Sequence, residues 1–217
     1  MRNGTTNQIV EVLFLRHGAT EGNLEHRYIG RTDEPLSRSG RAQLARSGGD
    51  KAQLLFTSPM TRCIQTAELL FPGQQPHCIE EWREMDFGQF EGKNYEELKD
   101  VAEYQCWIDS NGTLPFPGGE SREEFVARVK CGMNRMIKSV TDAIKASVQI
   151  ETIACVVHGG TIMAVLSEDS GEDYFSFQCK NGEGYRCIYE LEDGKRKLVS
   201  YEKIERSGER ERRNEMA

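Results

Sequence analysis

The sequence predicts an α/β domain, a three-layer sandwich with a mostly parallel central sheet and helices on both faces. Short β-branched and aliphatic runs alternate with stretches of helical spacing along most of the 217 residues, the pattern of strands joined by crossover helices. Residues 9–15 are apolar on both faces apart from Glu11, and residues 152–157 form a second such run, as strands covered on both sides do. With 37% hydrophobic residues, 6 prolines and no internal repeat, the chain can build one sizeable core and is neither disordered nor a solenoid.

The elements follow in order. Residues 9–15 predict a central strand that ends in a polar, glycine-containing loop, and 38–47 a modest helix stopped by Gly48 and Gly49. Residues 53–57 predict a short buried strand. Ser58 and Pro59 then read as an N-cap and a first-turn proline, with Met60, Cys63, Ile64, Ala67, Leu70 and Phe71 on one face of the helix they start. Residues 77–79 can form a third strand. Residues 81–120 are an irregular, aromatic-containing excursion of lid-like character, with helical pieces near 95–98 and 102–108, closed by Gly118 and Gly119. Ser121 and Glu124 make a capping-box pattern, and Phe125, Val129, Met133, Met136, Ile137, Val140 and Ile144 continue a long helix behind it. A buried strand at 152–157, a helix from Thr161, and a hairpin pairing 185–190 with 197–201 complete a domain over 1–204. Residues 205–217, with four Arg and four Glu, are expected to be a charged tail.

Composition excludes several classes. The 28 Lys and Arg against 35 Asp and Glu leave a net charge of −7, which disfavours a nucleic-acid partner held through phosphate contacts. Seven cysteines (Cys63, Cys78, Cys106, Cys131, Cys155, Cys179 and Cys187) lack C-x-x-C spacing and read as reduced thiols of a cytoplasmic protein. Residues 1–8 have no apolar core of a signal peptide, and no apolar run is long enough to span a bilayer. A monomer or homodimer acting on a small molecule is expected.

Ligands of open parallel sheets lie outside the carboxyl ends of the strands, so chemistry is sought there. The first strand ends in Arg16, His17 and Gly18; the second delivers Arg62 into a helix start; the later strand ends in His158, Gly159 and Gly160. Two arginines, two histidines, a helix N-terminus and close-approach glycines suit a dianionic phosphoryl group. Arginines depress the pKa of a neighbouring histidine, which keeps it neutral and able to attack phosphorus. Glu84, in the excursion, is a candidate acid for the leaving oxygen if burial raises its pKa, although Glu80, Glu81 and Asp86 nearby also fit an ordinary solvated loop. Asn23 fits a turn residue bonding its own backbone as well as a phosphate contact. Tyr104, Trp107 and Phe116 either line a substrate pocket or pack the excursion onto the core. Neither His-Glu-x-x-His nor His-x-x-Glu-His occurs, arginines beside both histidines would repel a dication, and no P-loop is present.

Residues 15–23 (LRHGATEGN), 30–37 (GRTDEPLS), Ser58 and Pro59 with Arg62 and 65–67 (QTA), Glu84 with Phe87 and Gly88, and His158 with Gly159 and Gly160 together resemble the histidine phosphatase superfamily, the phosphoglycerate-mutase-like phosphatases. The motifs stand in the family's order over about 9–200. The resemblance implies that fold, a phosphohistidine on His17, a phosphate pocket of Arg16, Arg62 and His158, substrate-binding positions at Asn23, Thr20, Gly30 and Gly159, Glu84 as proton donor, and neither metal nor cofactor. Residues 30–36, Tyr104, Trp107 and 116–121 (FPGGES) resemble the branch that contains alpha-ribazole phosphatase of cobalamin assembly. The arginine-rich insert of the mutases is not seen in 89–120, so phosphatase is favoured over mutase; a broad-specificity phosphatase and a non-catalytic phosphate-binding module are the alternatives. Two departures stand out. Ala19 precedes Thr20 where the family often has Glu, and residues 167–173 (SEDSGED) cut short the helix after His158, which bears on the cover of the sheet's far wall and on any dimer formed there.

Overall fold

In the computed structural model, which describes residues 8–46, 51–192 and 194–205, the first apolar run forms β1 (Gln8–Arg16). After it come α1 (Glu21–Leu24), α2 (Arg38–Arg46), β2 (Leu54–Thr57), α3 (Thr61–Leu70), β3 (His77–Cys78), α4 (Tyr95–Leu98), α5 (Ala102–Asp109) and α6 (Arg122–Lys145). β4 (Thr152–Val157), α7 (Gly159–Ser170), β5 (Gly184–Glu192) and β6 (Lys195–Ile204) complete the order. The expected glycine stop at Gly48 and Gly49, and the tail beyond Glu205, lie outside the described residues.

The strands form one sheet in the order β3-β2-β4-β1-β5-β6, with β5 antiparallel to both of its neighbours and the pairs β3-β2, β2-β4 and β4-β1 parallel. This is an α/β fold on a mixed, mostly parallel sheet. Its register positions the chemistry. Arg16 pairs with Val157 and Thr57 with Val156, so the residues that follow the three strands leave the sheet at one rim.

Alternation along β1 divides the core into two layers. Val10, Val12 and Phe14 face a cluster that includes Phe125, Val129, Met133, Met136 and Val140 of α6 and Ile162 and Val165 of α7. Leu13 and Leu15 face the opposite cluster, with Leu44 of α2 and Cys63, Ala67 and Leu70 of α3. A fully buried side chain of this size stabilises by roughly 1.5–3 kcal/mol, so the six buried apolar side chains of α6, from Phe125 to Val140, are a main anchor of their layer. Ser121 caps α6 by accepting from the Glu124 amide at 3.1 Å, and Glu124 returns a bond to the Ser121 amide at 2.9 Å. Loss of such a cap costs about 1 kcal/mol.

Two boundaries depart from the sequence reading. α3 starts at Thr61 with Met60 as its N-cap, and Ser58 does not cap it; the Ser58 hydroxyl accepts from the Met60 amide only at 3.4 Å and makes its shorter contact, 2.8 Å, with His158 in the site. α7 begins at Gly159, directly after His158, rather than at Thr161, and ends on Gly171 in a left-handed conformation. All seven thiols are free.

The excursion over 81–120 packs down on the rim through Trp82, Met85, Phe90, Leu98, Tyr104 and Phe116, all in the larger core cluster. Its two ends are stapled by backbone bonds from Glu120 to Asp86 (3.0 Å) and from Gln89 to Pro117 (2.9 Å). The staple needs glycine at 119, where an added Cβ would lie 2.4 Å from the Asp86 carbonyl oxygen.

Candidate active site

Arg62 is completely buried in the first turn of α3. Its Nη1 donates to the Thr32 carbonyl at 2.8 Å and its Nη2 to those of Gly30 (2.9 Å) and Ile29 (3.4 Å), so the loop after α1 fixes the guanidinium. Arg16 is held by a bond from Nη1 to the Cys179 carbonyl at 2.7 Å. In both arginines the Nε–H is buried and has no acceptor. An unsatisfied buried donor costs about 1–3 kcal/mol, more when charged, and an oxyanion between the two would relieve both.

His17 stands between these cations, 3% exposed. Its Nδ1 lies 2.7 Å from the Gly18 carbonyl oxygen, which can only accept, so Nδ1 carries the proton and Nε2 presents a lone pair. Burial, then the charges of Arg62 and Arg16, hold its pKa well below the usual histidine value. His158 meets it edge-on with ring centroids 5.1 Å apart, and its Nε2 is 2.8 Å from the Ser58 hydroxyl. Burial lowers the His158 pKa as well, followed by Arg62, His17, Arg16 and Arg128.

Glu84 comes from the excursion and is 8% exposed. Its Oε1 accepts from the Met85 amide at 3.0 Å. Burial raises its pKa against the opposing pull of the Met85 amide, Arg62, Arg16 and the Gly160 backbone. Gly160 packs so close that a Cβ there would lie 2.5 Å from Glu84 Oε1, which explains a glycine in the first turn of α7. That helix start has no side-chain cap, and it lies beside Arg16, whose Cζ is 3.5 Å from the position of a Cβ on Gly159.

Sequence and structure thus bring Arg16, His17, Arg62, Glu84, His158 and Gly159 to one place. Thr20, Asn23 and Gly30 sit one step behind. Thr20 and Asn23 form the capping box of α1, and Asn23 Oδ1 also accepts from Asn181 Nδ2 at 3.0 Å. Gly30 gives its amide to Glu91 Oε1 (2.8 Å) and its carbonyl to Arg62, so it anchors the guanidinium. Sequence reasoning missed Asn181, which donates to the His17 carbonyl at 3.2 Å, and Thr66, whose hydroxyl accepts from the Gly18 amide at 3.0 Å and donates to the Arg62 carbonyl at 2.7 Å. Asn181 lies in a loop with no periodicity to mark it; in the sequence Thr66 stands out only as the middle residue of the QTA motif.

A cavity of about 320 Å³ opens from Arg16, Glu84 and the first residues of α7. Trp107 and Phe116 line it and also pack together at 4.8 Å, so both readings of these aromatics hold for them, whereas Tyr104 is buried behind, its hydroxyl 3.1 Å from that of Tyr28. Tyr28, Tyr174 and Phe175, none singled out from sequence, complete the aromatic wall, and the Arg122 guanidinium lies 5.2 Å from the ring centres of both Tyr174 and Phe175. Among the described residues no three His, Cys, Asp or Glu side chains are grouped to hold a metal ion, and no helix is long and apolar enough to cross a membrane.

A family model for the histidine phosphatase superfamily (branch 1) matches residues 12–203. The chain belongs to this superfamily. Among its histidine phosphatase relatives is the uncharacterized phosphatase PhoE of Bacillus subtilis, 30% identical over 75% of this chain and 78% of that protein. The phosphoglycerate mutase of Thermus thermophilus is 31% identical, with a TM-score of 0.61 over 90% of this chain and 99% of that one. The alpha-ribazole phosphatase of Shigella flexneri, 23% identical, shares the fold with a TM-score of 0.69 over 91% of this chain and 98% of its own. The protein is therefore an enzyme of a histidine phosphatase superfamily whose members include phosphatases and mutases.

Proposed function

We propose that the protein is a metal-independent phosphomonoesterase that works through a phosphohistidine on Nε2 of His17. The observation that carries this reading is the pair of buried Nε–H groups of Arg16 and Arg62, both without an acceptor, beside a histidine whose Nε2 lone pair is free. Two fixed donors spread positive charge over phosphoryl oxygens where negative charge gathers in an in-line transfer.

In the first step Nε2 of His17 attacks phosphorus, the bond to the ester oxygen breaks, and the carboxyl of Glu84, whose pKa burial raises, gives its proton to the departing alkoxide. In the second, Glu84 as carboxylate takes a proton from water, the water oxygen bonds to phosphorus, and the N–P bond breaks. Alcohol and inorganic phosphate are released, and both side chains return to their starting protonation. His158, whose ring meets that of His17 edge-on and whose Nε2 is 2.8 Å from the Ser58 hydroxyl, is a further polar group for the phosphoryl oxygens.

The wall of the leaving-group cavity favours an alcohol with a planar, largely apolar body. Alpha-ribazole phosphate, an aromatic nucleotide, fits that description, and we assign it as the candidate substrate, which would place the protein in cobalamin assembly. Among the described lining residues Arg122 is the only cation besides Arg16, which supports hydrolysis over a mutase that must hold a second anionic end.

Initial rates in the presence of chelator, with alpha-ribazole phosphate, 3-phosphoglycerate and p-nitrophenyl phosphate, test the proposal beside His17→Ala. Full activity with chelator, none in His17→Ala and a marked kcat/KM preference for the aromatic nucleotide are expected. Chelator-sensitive turnover would sink the metal-independent mechanism, and equal kcat/KM across the panel would sink the substrate assignment.

A further inference from the structure

Arg128, near the start of α6, does not line the cavity, yet the chain spends all five of its N–H donors in one place. Nε and Nη2 grip the Glu120 carboxylate as a fork at 2.8 and 2.7 Å. Nη1 donates to the carbonyls of Glu81 (2.7 Å) and Arg83 (2.9 Å), and Nη2 also reaches the carbonyl of Glu84 itself (3.4 Å). Glu120 continues the grip on the far side of Glu84: its Oε2 accepts from the Asp86 amide at 3.3 Å, and Arg31 approaches the same oxygen at 3.9 Å. The backbone is thus held before, at and after the residue assigned as the acid.

Cover of the apolar surface does not by itself require this clamp, because Trp82 and Met85 already bury their side chains on either side of Glu84. What the clamp adds is direction. The guanidinium lies 5.1 Å from the Phe125 ring centre, and Phe125 in turn packs against Gly160, the residue that leaves room for Glu84 Oε1. A lysine could supply the charge at this spot, but not a planar five-donor fork spanning three carbonyls and a carboxylate.

We propose that Arg128, with Glu120, is a positioning residue that sets the carboxyl of Glu84 for proton transfer to the leaving oxygen. The inference rests on the phosphomonoesterase reading with Glu84 as acid. Glu84 is faced by Arg16 of β1, Arg62 of α3 and the backbone of Gly160 in α7, with Cys63 and Tyr174 within electrostatic reach. Release of the clamp lets the carboxyl swing toward water, where it ionises at lower pH and no longer meets the ester oxygen.

The test compares β-glycerophosphate, whose alkoxide needs a proton, with p-nitrophenyl phosphate, whose phenolate does not, in Arg128→Met, Arg128→Lys, Glu120→Gln and Glu84→Gln. General acid catalysis contributes about 10²–10⁴-fold, and partial loss of aim in Arg128→Met should remove about 10-fold to 100-fold of kcat on β-glycerophosphate. Little change is expected in kcat on p-nitrophenyl phosphate or in KM, and the alkaline limb on β-glycerophosphate should move to lower pH. Arg128→Lys and Glu120→Gln should show the same bias to a smaller degree, and they decide the matter if Arg128→Met does not fold. Equal losses on both esters with an unmoved pH limb, in variants with a normal melting profile, would overturn the inference. Glu84→Gln separates the two levels: a leaving-group bias there without one in the Arg128 and Glu120 variants overturns the positioning role alone, whereas no bias in Glu84→Gln removes the acid assignment and the inference with it.

Discussion

The two ends of the site are built differently. The phosphate end is made by three strand termini and two helix starts, and its side chains are pinned by backbone: the Cys179 carbonyl on Arg16, the Gly18 carbonyl on His17, and the carbonyls of residues 29, 30 and 32 on Arg62. The leaving-group end is made by an excursion, the first residue of α6 and a short turn, and its wall is held by ring-on-ring contacts such as Trp107 on Phe116. Hydrogen bonds to backbone fix an atom to a few tenths of an ångström, whereas aromatic packing fixes a surface and tolerates some sliding. One end is therefore suited to a group that never varies, and the other to a group that sets specificity.

The sharpest break between the ends should come from His17→Ala, expected to lower kcat by roughly 10⁴-fold or more on every ester and to abolish acid-labile labelling with ³²P substrate. Retained labelling would move the nucleophile elsewhere. Next, Glu84→Gln should cost about 10²–10³-fold on β-glycerophosphate and far less on p-nitrophenyl phosphate, measured as the ratio of kcat values. Trp107→Ala acts only at the other end. Loss of a buried aromatic contact of roughly 1.5–3 kcal/mol should raise KM for an aromatic nucleotide about 10-fold to 100-fold, while p-nitrophenyl phosphate keeps its kcat. A comparable fall in kcat on both would show that the cavity wall also supports the phosphate end.

The smallest effect is on stability. His17 and His158 have depressed folded-state pKa values, so below about pH 6.5 the unfolded chain takes up protons that the fold refuses. Each group then contributes up to about 1.4 kcal/mol of lost stability per pH unit as pH falls below that value. The raised pKa of Glu84 works with the opposite sign, since its neutral form favours the fold at low pH and that contribution is lost as pH rises past the ordinary glutamate value. Chemical unfolding between pH 7 and 5 should show falling stability in the wild type and a shallower slope in His158→Gln; parallel slopes would mean that the imidazoles are hydrated in the native protein.

The phosphate end was also the legible one. Arg16-His17-Gly18 and His158-Gly159-Gly160 follow strands whose apolar runs are unmistakable, and open parallel sheets gather such residues at one rim. The long helix was equally plain, because Ser121, Glu124 and the stripe from Phe125 to Val140 all say the same thing locally. Ser58 misled because a Ser-Pro start looks the same whether the hydroxyl turns to its own helix or to a histidine 100 positions away. Tyr28, Tyr174 and Asn181 were invisible for a related reason. Their partners are set by how the loops pack, and nothing in the neighbouring residues records it.

One consequence concerns synthesis of the chain from its N-terminus. The strand end that carries Arg16 and His17 is completed by residues made much later: the Cys179 carbonyl holds Arg16, Asn181 holds the carbonyl of His17, and the Gly182 amide bonds the carbonyls of both. β5, which borders β1 on that side, follows directly. A nascent chain made only as far as α6 contains His17, Arg62 and Glu84, the proposed nucleophile, clamp and acid, but lacks His158 and the brace that aims Arg16. Under the proposed mechanism, phosphoryl transfer waits until residues 179–182 have been made, and a shorter product carries His17 without the contacts that hold its strand end.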